Sequence, residues 1–355
     1  MAIAARLDDP DVRDRLASWL TLKIGTTKVE LSAFDAPVLS GYSNETLLAD
    51  ATWTNAANER KTRGIAVRME PERHRVFPDT MFDTQVRVME ALGSTVIPVP
   101  EILWFEPDPK VLGSPFFVMG RLDGRAAPDN PPYHVSGWLH EATPELRARV
   151  WWNGLDVMAA IHRLDLQWSG VTFLDVVDAK EQLRRDHAYA DWALEGRPYP
   201  LLDEAFERLE ATIPSKDVRP ALVWGDSRIG NILFDETGKV QAVLDWEMVS
   251  IGAPIADLAW FFLLDRHHSD ACDVPRLPGF PSREETIARW EAKTGYDAGD
   301  LDWWELLGAV RYAAILTRVL DLLDDSGAMP GARESMSLEN TSTKLLRLYL
   351  DDARV

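Results

Sequence analysis

The sequence predicts an α+β protein of two lobes, a small β-rich one first and a large, mainly helical one after it. Three observations carry this expectation. β-Prone segments cluster before about residue 120, apolar residues at helical spacing dominate beyond it, and one β-like interruption, ALVWGDSRIGNILFDETGKVQAVLD, stands inside the helical part. With 355 residues and 46% apolar side chains, the chain is long enough to bury a core in each lobe. The character of the sequence changes near residue 120, so the expected division is residues 1–119 and residues 125–355, with 120–124 between them.

The elements follow in order. DVRDRLASWLTLKI reads as a leading helix, LLADATW and GIAVRME as strands, FDTQVRVMEALGS as a helix, and PEILWFE and SPFFVMG as further strands. GRLDGRAAPDNPPYHVSGW holds too many prolines and glycines for regular helix. TPELRARVWWNGLDVMAAIHRLD restores the helical pattern: Thr143 suits the N-cap, Pro144 the first turn, and Leu146, Val150, Leu155, Met158 and Ile161 recur on one face. EQLRRDHAYADWALEG, PLLDEAFERLEATI, SREETIARWEAKTG, DLDWWELLGAVRYAAILTRVLDLLDD and SLENTSTKLLRLYLDD continue it, with no internal repeat or low-complexity tract.

Composition excludes some functions. A formal charge of -19 without a basic stripe repels polyanions, so no nucleic-acid partner is expected. No membrane span is expected either, because the best apolar run, LAWFFLL, stops at Asp265, well short of the roughly 20 residues a spanning helix needs. One cysteine, Cys272, cannot form an internal disulfide, and MAIAARLDDPDVRDRL carries charges where a secretory signal needs an apolar run, so the cytoplasm is the expected location. The acidic field would draw a cationic small substrate, but it serves solubility equally and names no substrate.

The interruption carries the chemistry. VWGDSRIGN sets Asp226 five positions before Asn231, ETGK supplies a turn, and VQAVLD returns to Asp245. Taken singly, such residues cap turns and end strands. Taken together, two acids and an amide in one β segment are costly to bury, since desolvated carboxylates repel each other, and a divalent cation removes that cost. Magnesium prefers oxygen ligands, which suits Asn231 and Asp245, and leaves Asp226 to orient or deprotonate a hydroxyl group.

WGDSRIGNILFDETGKVQAVLDWEMVSIGAPIADLAW resembles the catalytic segment of the aminoglycoside phosphotransferase and choline kinase-like superfamily, and the resemblance runs from about residue 35 to about residue 325. Within that group the chain is most similar to the branch related to the kinase-like N-terminal domain of certain acyl-CoA dehydrogenases. The resemblance implies a protein kinase-like two-lobed fold, ATP as phosphoryl donor with Mg2+, a small-molecule hydroxyl substrate, Asp226 as catalytic base, and Asn231 and Asp245 as metal ligands. Asp257, in GAPIADLAW, matches an aspartate that braces the catalytic loop through backbone hydrogen bonds. LSGYSNETLLAD takes the place of the loop over the phosphates, with Ser43, Asn44 and Thr46 as donors, although with one glycine it also reads as a plain hairpin turn. Arg68 takes the place of the phosphate-contacting lysine of protein kinases, and Gln85 that of its helix glutamate, either bonding Arg68 or facing solvent. SPFFVMGRLDG takes the place of the hinge strand, with Met119, Gly120 and Leu122 at the adenine. Trp224 stands where the family often has histidine and is read as core.

DRHHSDACD offers His267, His268, Asp270 and Cys272 as metal donors, but their spacing fits no zinc pattern and the segment reads as a polar surface loop. One tryptophan of each pair, Trp151 and Trp152, Trp303 and Trp304, is expected in the core. The resemblance implies that an acceptor binds at PDNPPYHVSGW and residues 270–305, and the tryptophans favour a non-antibiotic hydroxyl compound, such as an acyl or lipid-like alcohol, over an aminoglycoside. Two other readings stay open: a kinase-shaped binding protein without turnover, motivated by Gln85 and Trp224, and a hydrolase using Asp226 and Asp245 as an acid–base pair. The acceptor, the choice of ATP or GTP and the oligomeric state stay open as well.

Overall fold

The computed structural model describes residues 10–35, 45–71, 75–215 and 218–352. The chain divides into two compact units, one within residues 1–90 and 100–123, the other within 91–99 and 124–355.

In the first unit, β1 (Val29–Leu31), β2 (Glu45–Thr54), β3 (Arg60–Met69), β4 (Ile102–Glu106) and β5 (Phe116–Gly120) form an antiparallel sheet in the order β1-β2-β3-β5-β4. Alternation sends Leu47, Ala49 and Ala51, with Ile65, Val67 and Met69 beside them, to one face. Helix α1 (Pro10–Ile24) covers that face with Val12, Leu16, Trp19 and Leu20, one stripe at helical spacing. Trp19 packs on Phe116 at 4.8 Å between ring centroids, and its buried indole N–H is satisfied by Glu106 Oε2 at 2.8 Å. On the opposite face, Phe82 of α2 (Phe82–Leu92) packs on Phe117 at 5.1 Å.

β2 and β3 reach further than LLADATW and GIAVRME predict. Asn55 Oδ1 accepts from Ala57 N and Glu59 N and closes the turn, so the polar RKTR arm pairs along β2 although it is exposed.

The second unit contains α3 (Trp138–Glu141), α4 (Pro144–His162), α5 (Ala179–Leu194), α6 (Pro200–Ala211), α7 (Ile255–His268), α8 (Arg283–Thr294), α9 (Leu301–Asp325), α10 (Ala332–Ser335) and α11 (Thr341–Asp351). Local rules start several of them. Thr143 caps α4 through Leu146 N, while Ser282 and Asn340 form capping boxes on α8 and α11. α9 is the spine, packed against α5, α7 and α11. Trp303 and Trp304 are both buried, which corrects the expectation of one per pair; Trp151 is fully buried and Trp152 half-buried. Among the described residues no helix is long and apolar enough to cross a membrane.

Short strands interrupt this helical unit. β6 (Val176–Val177), β10 (Ser250–Gly252) and β7 (Ala221–Val223) form one sheet with β10 in the middle, and β8 (Ile232–Phe234) and β9 (Val240–Val243) form a hairpin. ALV therefore pairs with residues 250–252 and not with NILF, although both flank the same loop. Val243 N donates to Pro98 O and ties residues 91–99 to β9.

Candidate active site

The loop of residues 224–231 begins at the end of β7. Gly225 has φ +92, and a Cβ there would collide with the Met248 backbone, so both conformation and space require glycine. Asp257, in the first turn of α7 and fully buried, accepts from Gly225 N at 2.8 Å, Trp224 N at 2.7 Å and His162 Nε2 at 2.9 Å. Trp290 Nε1 can only donate and reaches His162 Nδ1 at 3.0 Å, so the histidine proton sits on Nε2 and points at Asp257. Ser227 Oγ donates to Asp257 O at 2.7 Å. The aspartate thus holds the first part of the loop, at Trp224, Gly225 and Ser227, through the backbone hydrogen bonds expected of it.

Asn231 ends a single 3-10 turn, Ile229–Asn231. Its Nδ2 donates to Asp226 Oδ2 at 2.6 Å and to Asp226 O at 3.1 Å. Carboxylate and carbonyl oxygens only accept, so the amide nitrogen must face Asp226 and its oxygen is left for another partner. Asn231 O accepts from Leu244 N at 2.8 Å, which brings Asp245 alongside. The Trp224 indole reaches the carbonyls of Leu244 at 2.9 Å and Asp245 at 3.0 Å. Trp224 is buried, as expected of a core residue. Asp245 has φ +58, a left-handed conformation that aspartate adopts more readily than most side chains.

Asp226, Asn231 and Asp245, chosen from spacing, are thus joined through one hydrogen-bonded stretch. Among the described residues no group of three or more His, Cys, Asp or Glu side chains could hold a metal. The donors here, one amide oxygen and one carboxylate, fit an ion such as magnesium, which takes few protein oxygens and fills its shell with water and phosphate.

Two partners of Asp226, and a further partner of one of them, escaped the sequence reading. Trp260 Nε1 donates to Oδ1 at 2.7 Å, and Arg228 Nε lies 3.1 Å from Oδ1 and 3.2 Å from Oδ2. Arg228 Nη1 also pairs with Asp129. The arginine, two residues from Asp226, was open to a charge argument; the tryptophan and Asp129 carried no local signal.

His267 and His268 do not lie in a surface loop. α7 continues through them, both are buried, and His268 Nε2 lies 3.6 Å from Asp129 Oδ1. Burial, then the neighbouring His268, lowers His267 from 6.5 to about 3; burial, then Arg228, does the same to His268. Both are neutral at pH 7. The folded state binds fewer protons there than the unfolded chain, so this stability is present above pH 6.5 and lost as pH falls through about 3. Glu305 opposes it: burial, against Arg283, raises it from 4.5 to about 7, so its share is present below pH 4.5 and lost as pH rises through about 7. Urea midpoints at pH 7.5 and about 5 should therefore differ less in His268→Gln than in the parent, and more in Glu305→Gln. Equal pH slopes in all three proteins contradict these assignments.

The residues expected at the nucleotide lie in the first unit. Ser43 and Asn44 fall outside the described residues. Thr46 pairs with Arg68 across β2 and β3, and Met119 with Ala66 across β5 and β3, which puts all three candidates on the face that carries Phe117. Gln85 is fully buried, which rules out the solvent-facing alternative; its Nε2 donates to Thr80 O at 2.9 Å, and its Oε1 has no partner among the described residues. At the expected hinge, Gly120 N donates to Glu101 O and Arg121 N to Gly64 O, so of these three amides that of Leu122 is the one without a partner among the described residues. A pocket of about 380 Å³ beside α2, lined by Glu70, Asp79, Thr80, Phe82 and Phe105 among others, contains none of these candidates.

Residues 71–280 match the family model of the phosphotransferase enzyme family, APH. The chain is 31% identical over 224 residues to acyl-CoA dehydrogenase family member 11 of Gallus gallus, covering 62% of this chain but 26% of that protein, so it spans about a quarter of that relative's length. Among solved structures, a candidate aminoglycoside phosphotransferase of Ralstonia eutropha JMP134 superposes with a TM-score of 0.70 at 21% identity, covering 96% of this chain and 99% of the other. The ternary complex of a thermostable aminoglycoside phosphotransferase APH(4)-Ia mutant with AMP-PNP and hygromycin B gives 0.57 at 15% identity, covering 96% and 99%. These likenesses show a kinase-like fold, an antiparallel sheet followed by a largely helical part. Because more than half of its length is matched by the family model, the chain belongs to the phosphotransferase enzyme family.

Proposed function

We propose that this protein transfers the terminal phosphoryl group of ATP, with magnesium, to a hydroxyl group of a small molecule. The observation that carries the reading is the dual anchoring of Asn231: its amide nitrogen is bonded to Asp226, and its main chain to Leu244 beside Asp245. Asp226 receives the acceptor hydroxyl, orients it and takes its proton. Trp260, Asn231 and Arg228 hold the carboxylate for that purpose. Phosphoryl transfer asks mainly for positioning and charge neutralisation, which these groups can supply. Asn231 and Asp245 would hold magnesium, which when bound neutralises phosphate charge. Arg68 offers its planar guanidinium to the phosphates, with Ser43, Asn44 and Thr46 as further donors. Gln85 supports that strand face, and Met119, Gly120 and Leu122 meet the adenine. In this reading residues 1–119 bind the nucleotide, 120–124 are the hinge and 125–355 bind the acceptor.

Two comparisons support a nucleotide and a small-molecule acceptor: aminoglycoside 2'-phosphotransferase-IIIa is known as a GDP complex, and APH(4)-Ia with AMP-PNP and hygromycin B. Beside Asp226, the Trp260 ring meets Tyr312 edge-on at 6.0 Å, which supports a hydroxyl compound with apolar surface over a densely cationic one.

Ligand binding to the folded state raises stability by about 2.7 kcal/mol at a hundredfold excess over Kd. Magnesium and ATP together should therefore raise the melting temperature, and Asn231→Ala or Asp245→Ala should remove the rise. No shift with millimolar ATP and magnesium overturns the reading. Phosphate transfer to any alcohol, lost in Asp226→Asn, excludes a kinase-shaped binder without turnover.

A further inference from the structure

The Arg228 guanidinium lies between two carboxylates. Its Nε spans both oxygens of Asp226, at 3.1 and 3.2 Å, while its Nη1 pairs with Asp129. The side chains are 17% exposed for Arg228, 15% for Asp226 and 39% for Asp129. Two acids sharing one guanidinium keep a net negative charge, so without the guanidinium they repel each other at low effective dielectric. Three neighbouring titratable groups, His267, His268 and Tyr312, supply no countercharge. His267 and His268 are held neutral by burial, and burial keeps the Tyr312 hydroxyl protonated.

Gly230 makes the arrangement possible. A Cβ there would collide with Arg228 Nη1 and come within 2.8 Å of Asp129 Oδ1, so the ion pair closes over a bare Cα. Its backbone is outside the left-handed region, so alanine is conformationally allowed and only the ion pair opposes it. Asp129 belongs to PDNPPYHVSGW, a segment expected to meet the acceptor and tied to β8 through the Arg125–Phe234 backbone bonds.

The geometry points to Arg228 and Asp129 as positioning residues: Asp129 sets Arg228, and Arg228 sets the Asp226 carboxylate, so the orientation of Asp226 depends on the loop around Asp129. This rests on Asp226 being the group that orients the acceptor, but its first readout does not. The Trp260 indole N–H, bonded to Asp226 Oδ1 at 2.7 Å, reports the carboxylate directly. In protein labelled with ¹⁵N at the indoles, that resonance is identified by its loss in Trp260→Phe. Arg228→Ala, Asp129→Asn and Gly230→Ala should each move it toward the free-indole position, and Arg228→Lys should move it less. Gly230→Ala leaves every charge in place, and melting curves show which variants are folded. An unmoved Trp260 resonance in folded Gly230→Ala and Asp129→Asn overturns the assignment, even if Arg228→Ala does not fold.

The second readout is turnover. With Asp226 misplaced, kcat should fall on the order of 10²-fold while the KM for nucleotide stays within about twofold, and Arg228→Lys should recover part of the loss. Unchanged kcat in folded Arg228→Ala or Gly230→Ala also overturns the assignment. If the parent protein transfers no phosphate at all, the proposed function fails, while the indole resonance still decides this inference.

Discussion

Asp226→Asn is expected to lower the phosphoryl-transfer rate by about 10²–10⁴-fold, the range for removing a general base. The substitution preserves shape and removes one acceptor oxygen. In the folded protein that acceptor matters, because Trp260 donates to one oxygen of Asp226, Asn231 to the other, and Arg228 to both. An asparagine can turn its oxygen to only one side, so its NH₂ must face a donor on the other. The expected result is loss of kcat with a modest fall in melting temperature, read by ADP release alongside a thermal scan. A variant that keeps more than about a tenth of the parent rate would place the base elsewhere.

Asp257→Ala should be the most damaging single change to stability in the helical unit. It strands the amides of Trp224 and Gly225 and the Nε2–H of His162, all of which meet one fully buried carboxylate. A buried polar group left unsatisfied costs about 1–3 kcal/mol, and breaking a buried charged contact by removing one partner costs about 3–5 kcal/mol. Since total stability is only about 5–15 kcal/mol, such a loss is a large share of it. Denaturant unfolding of Asp257→Ala against the parent measures it, and a difference below about 1 kcal/mol contradicts the bracing role. Asp257→Asn, which keeps one acceptor oxygen, should lose less.

The two aspartates differ in how legible they were. Asp226 stood out because Asn231 and Asp245 follow at a telling interval in a stretch broken by glycine. Asp257 was legible only through resemblance, since an acid in the first turn of a helix is ordinary. Thr143 was read correctly because capping is a local rule whose partner, Leu146 N, lies three residues away. The strand ALV was also recognised, but its neighbour was not: pairing with β10 brings together residues far apart in the chain, and strand propensity does not encode a partner. His267 and His268 were misjudged because polar side chains near the end of an apolar run look like a helix exit, whereas α7 carries them into the interior.

By itself the sequence determined the order of elements and the small β-rich part before a helical one, and it singled out the trio Asp226, Asn231 and Asp245. Each of these is written in local periodicity, turn chemistry or short spacing. Only the tertiary structure decided what surrounds Asp226: Trp260 arrives from 34 residues away, and Asp129 reaches Arg228 across 99. Such contacts depend on how packed helices bring distant faces together, and side-chain partners chosen by packing leave no period in the chain.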